Sequence, residues 1–74
     1  MKKLNWHPIE EMDLEDGAHT CYAAELDVHH FVFTTQTADD RWDVELKRKG
    51  EDGYTTLVSC KSLTSARRWA ARYL

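Results

Sequence analysis

One proline, three glycines and two cysteines are all this chain holds of the residues that punctuate or staple a small fold. So little proline and glycine excludes low-complexity, collagen-like and linker-rich chains. Two cysteines are too few for a disulfide framework, and they lack the paired short spacings of a zinc finger. No apolar run approaches the roughly 20 residues needed to cross a bilayer. Positive charge is not in excess either: ten Lys and Arg stand against thirteen Asp and Glu, a net charge of −3. That balance speaks against a general nucleic-acid binder, which would be strongly basic.

What is present is the composition of an ordinary globule, 42% hydrophobic and 31% charged. Seventy-four residues suffice for one small domain, residues 1–74, with a thin core. The Met1-Lys2-Lys3 start is followed by Asn5, His7, Pro8 and Glu10 rather than an apolar segment. It does not read as a secretory signal, so the expected compartment is the cytoplasm and the expected cysteines are free thiols. Charge is uneven along the chain. Residues 1–30 carry two basic and seven acidic side chains, residues 31–74 eight basic and six acidic.

The last thirteen residues, 62–74, carry the clearest helical pattern. Leu63, Ala66, Trp69, Ala70, Tyr73 and Leu74 share one side of a helical wheel. Arg68, Arg72 and Ser65 fall opposite, Arg67 lies on the flank, and Ser62 is the expected N-cap. A helix this short needs a surface to rest on.

Residues 21–60 supply that surface as a meander of strands. Residues 21–28 alternate, with Tyr22, Ala24, Leu26 and Val28 on one side. Residues 30–36 follow, with Phe31 and Phe33 as the expected inward pair. Thr37-Ala38-Asp39-Asp40 has turn chemistry, and residues 41–49 alternate with Trp42, Val44 and Leu46 inward. Gly50-Glu51-Asp52-Gly53 makes a hairpin loop before residues 54–60, which are rich in β-forming side chains. Residues 1–20 read as an edge strand around Leu4, Trp6 and Ile9, tolerant of Pro8, then an acidic connector. Short connections favour antiparallel neighbours. The expected fold is therefore α+β: a three- to four-stranded antiparallel meander with one C-terminal helix on one face. Phe31, Phe33 and Leu57 are placed under that helix, and Val32 and Val58 on the open face.

Trp6, Tyr22-Ala23-Ala24, Phe31-Val32-Phe33, Trp42-Asp43-Val44 and Leu63-x-x-Ala66-x-x-x-Ala70 together resemble small bacteriophage and mobile-element proteins of meander-plus-helix type. The resemblance covers most of the chain and rests on core positions. It implies the same fold and a phage or mobile-element origin, and it assigns no functional residue.

Chemistry-bearing constellations are sparse. His7, His19, Cys21, His29, His30 and Cys60 could each ligate a metal, but only His19-x-Cys21 and His29-His30 are close in sequence. No nucleophile elbow, P-loop or dinucleotide-binding turn occurs. The adjacent carboxylates Glu10-Glu11 and Asp39-Asp40 would point apart in a strand. The expectation is a non-enzymatic protein without metal or cofactor, whose role is to bind another macromolecule, a protein first. Candidate contacts are the acidic residues Glu10, Glu11, Asp13, Glu15 and Asp16, which can steer toward a basic partner, and Val32 and Val58. Pairing through a sheet edge, with a partner or a second copy, is a further option. The alternative is a nucleic-acid-binding module using Lys47, Arg48, Lys49, Arg68 and Arg72.

Overall fold

A computed structural model describes residues 2–9 and 21–74 of the chain. Among the described residues five strands precede one helix: β1 (His7–Pro8), β2 (Cys21–Glu25), β3 (His30–Gln36), β4 (Trp42–Arg48), β5 (Thr55–Cys60) and α1 (Leu63–Tyr73). The strands form one antiparallel sheet in the order β1-β2-β3-β4-β5. The fold is α+β, as the pattern implies, but with five strands rather than three or four. The additional strand is the two-residue β1, with Pro8 at the sheet's edge, where a missing N–H does least harm.

The turns follow their side chains. Between β3 and β4, Asp40 donates its N–H to the Thr37 carbonyl at 3.1 Å and takes a left-handed φ of 62°. A turn closed by a left-handed residue is a standard hairpin solution, and aspartate tolerates that backbone. Gly50, at φ 86°, plays the corresponding part after β4. Between β2 and β3 the Asp27 carboxylate accepts the His29 N–H at 2.7 Å, and His30 Nδ1 lies 3.0 Å from it. The strand expected over residues 21–28 thus stops at Glu25, and Val28 sits at a hairpin tip, 75% exposed.

The helix begins as its residues dictate. Ser62 is extended, and its hydroxyl accepts the Ser65 N–H at 3.1 Å. Ala66 and Ala70 turn to the sheet and are fully buried with Ala24, Val32 and Val44. Two alanines one turn apart have no bulk to hold the backbone away, so the helix comes close to the strands. Leu4, Trp6, Leu26, Trp42, Val58, Cys60, Trp69 and Leu74 close the core's margin.

Register then decides the faces, because directly opposed residues in an antiparallel ladder share a side. Val32 pairs with Ala24 and Leu46, and Thr34 pairs with Tyr22 and Val44. These lie beneath the helix. Phe31 pairs with Glu25 and Lys47, and Phe33 with Ala23 and Glu45, on the other face. The expected assignment of β3 is therefore inverted: Val32 and Thr34 are inside, and both phenylalanines face away from the helix. Leu57 is also displaced. A bulge sets Val58 against Val44 and Thr56 against Glu45, leaving Leu57 without an opposite partner.

Candidate functional site

Inversion of β3 places two aromatic rings on the sheet face that the helix does not cover. Phe31 and Phe33 stand two residues apart on the central strand, each half-buried. Charge of both signs surrounds them. Glu25 and Lys47 flank Phe31 on β2 and β4, Glu45 lies opposite Phe33, and Asp43 follows on the same side of β4. Lys49 bends over the Phe31 ring with Nζ 4.7 Å from its centroid and pairs with Glu25 at 2.8 Å. An exposed pair of this kind adds little stability, but it holds the ammonium above the ring.

Two hollows flank the rings. One, of about 430 Å³, runs past Phe31 toward Lys3, Asn5 and His7. The other, of about 300 Å³, lies beside Phe33 and includes Ile9, Thr35, Lys47 and Tyr54. Within it the Thr35 hydroxyl donates to Glu45 Oε1 at 2.7 Å and lies 3.4 Å from Cys21 Sγ. The face thus combines apolar area with a mixed-sign polar rim. Such a surface suits another protein better than a polyanion, which Glu25, Asp43 and Glu45 would repel.

The sequence-derived candidates are distributed differently from expectation. Val32 is fully buried beneath the helix, and Val58 lies in the same layer, so neither belongs to the open face. Glu10, Glu11, Asp13, Glu15 and Asp16 lie outside the described residues, as does His19. The basic candidates separate. Lys47 lies on the open face and Lys49 is engaged with Phe31 and Glu25, whereas Arg48 lies at the end of β4 opposite His30. Arg68 and Arg72 sit on the far side of α1, across the whole thickness of the molecule. The five do not make one patch.

Cys21 and Cys60 are not bonded to each other. Cys21 is on the open face of β2 and Cys60 on the helix side of β5, three strands away, about 14 Å at the usual strand spacing. Burial pushes the Cys60 thiol above its ordinary pKa, against a smaller opposing effect of Arg41. Among the described residues no three His, Cys, Asp or Glu side chains converge as a metal site. No helix among them is long and apolar enough to cross a membrane.

The longer of the sheet's two edge strands is β5. Thr37 donates to the Arg41 carbonyl at 2.8 Å, so Arg41 turns its backbone groups to β3. By alternation Trp42 and Val44 turn theirs to β5, and Ser59, between their partners Cys60 and Val58, directs its carbonyl outward. The Arg41 guanidinium wraps onto that carbonyl at 3.0 Å and onto Ser59 Oγ at 3.0 Å. Together with the bulge at Leu57, this blunts the edge against another strand.

No family model, curated protein or solved structure matches the chain.

Proposed function

We propose that this is a non-enzymatic binding module that docks another protein through the open face of its sheet. The observation that carries the reading is the pair Phe31 and Phe33 on the central strand, opposite the helix and ringed by Glu25, Asp43, Glu45, Lys47 and Lys49. Aromatic anchors within a polar rim are the composition of a contact surface. Rings needed for the core would lie with Val32 and Val44 beneath α1. Burial raises the Cys60 pKa and so favours its unreactive thiol form. The resemblance to phage and mobile-element products makes an accessory role, such as blocking a host protein in the cytoplasm, the natural setting.

The test replaces Phe31 and Phe33 by threonine, which is β-branched and so keeps strand preference while removing the rings. Wild-type and doubly substituted proteins, both checked for dispersed amide spectra, are used as bait in extracts of the cells that express the chain. A protein retained by the wild type, lost with the double variant and kept with Arg68→Ala plus Arg72→Ala is the expected result. Equal capture by wild type and the phenylalanine variant would end the proposal.

A further inference from the structure

The outer side of α1 is a second surface, separate from the sheet face. Its eleven residues include Arg67, Arg68 and Arg72 and no acidic side chain, in a chain that is acidic overall. Arg67 turns inward: its guanidinium stacks over Tyr22 at 4.7 Å and Trp6 at 5.7 Å. Arg68 and Arg72 stay exposed, one turn apart, with no carboxylate partner among the described residues. Like charges at that spacing repel. Arg72 gains from the negative end of the helix dipole, but Arg68 lies a turn too early to share that benefit fully.

Aromatic rings accompany them. Trp69 and Tyr73 stack with centroids 5.2 Å apart and planes tilted by 43°. Trp69 is anchored against the core, while Tyr73 is 63% exposed. Ser65, Arg68, Trp69, Arg72 and Tyr73 line one hollow of about 230 Å³. Two unpaired guanidinium groups beside an exposed ring held by a fixed indole are the parts of a single-strand nucleic-acid contact: phosphates for the arginines and a base for the tyrosine. An acidic peptide would satisfy the arginines but carries no base to stack on the exposed side of the Tyr73 ring.

We propose that Arg68, Arg72, Trp69 and Tyr73 form a small, sequence-tolerant contact for single-stranded nucleic acid. It stands independently of the sheet-face reading, which it neither needs nor supports.

Amide chemical-shift titration of the full chain with oligothymidylate tests it, repeated at several salt concentrations. Shifts should centre on α1. Each single-strand phosphate contact contributes about −0.7 to the slope of log affinity against log salt, so two arginines give a slope near −1.4. Arg68→Ala with Arg72→Ala should bring that slope close to zero. Tyr73→Ala, with its charge unchanged, should weaken binding by about fivefold or more. All three positions are exposed, and unchanged amide dispersion confirms that each variant is folded. Absence of binding at low salt, shifts confined to the sheet's open face, or full affinity in the arginine variant would each overturn the proposal. Equal binding of polyglutamate, with Tyr73→Ala without effect, would also overturn it, and would leave a plain cationic surface for acidic peptides.

Discussion

Thr34 shows how a single side chain can be misplaced chemically and still be well placed sterically. It is fully buried in the layer beneath α1, and its hydroxyl has no hydrogen-bond partner among the described residues. A buried hydroxyl left unpaired costs about 1–3 kcal/mol, whereas its shape matches that of valine. Thr34→Val should therefore stabilise the protein by about 1 kcal/mol, seen as a higher urea midpoint at unchanged slope. A lower midpoint would mean that the hydroxyl is satisfied in solution. Asp27 is the opposite case, a polar group placed for use. The His29 N–H, and after it His30, holds its carboxyl below the ordinary pKa. A pKa lowered in the folded state means stability that is present above the ordinary aspartate value, near 3.9, and lost as pH falls through the lowered one. Asp27→Asn should remove that component, so that wild-type and variant midpoints converge in strong acid and separate above about pH 4. Parallel curves would show that the turn contributes nothing through its charge.

At the scale of elements, the unequal treatment of the two sheet edges stands out. β1 is two residues long and ends in proline, so it offers a neighbouring strand almost nothing. β5 is six residues long, Thr-Thr-Leu-Val-Ser-Cys, without charge or proline, and would be open to pairing by composition. It is guarded by the bulge at its own Leu57 and, from outside the strand, by Arg41, whose guanidinium occupies the outward Ser59 carbonyl. Arg41→Ala should free that acceptor and raise the apparent mass relative to wild type at equal concentration, measured by sedimentation. An unchanged mass would remove the guarding role from Arg41. The helix shows a related economy of means. Ala66 and Ala70 bring it close, and that closeness suits Val32 and Val44 beneath it better than phenylalanine rings.

Across the whole molecule, one layer of strands separates two surfaces of different character: Phe31 and Phe33 among mixed charges, and Arg68, Arg72 and Tyr73 on the helix. Substitutions at one should leave the other's binding unaffected, since additivity holds for distant sites without shared partners. Much of this organisation was legible in the chain itself. Helix period, the Ser62 cap, the alternation of β4 and the turn chemistry at residues 37–40 are local properties, set by neighbours within a few positions. Hence the element types and their order followed from sequence. The phase of β3 did not. Phe31-Val32-Phe33 is apolar at three successive positions, so either alternation is consistent with a buried face, and ring size argues for the wrong one. Pairing with Ala24 and Leu46, together with the close approach of Ala66 and Ala70, selected valine for the interior. Leu57 was displaced by a bulge that no local signal announces, and Arg41 found Ser59 eighteen residues away. Local propensity thus determined what each segment is. Which side each strand shows, and so where a partner could touch, was decided by register and packing depth, because these depend on residues distant in the chain.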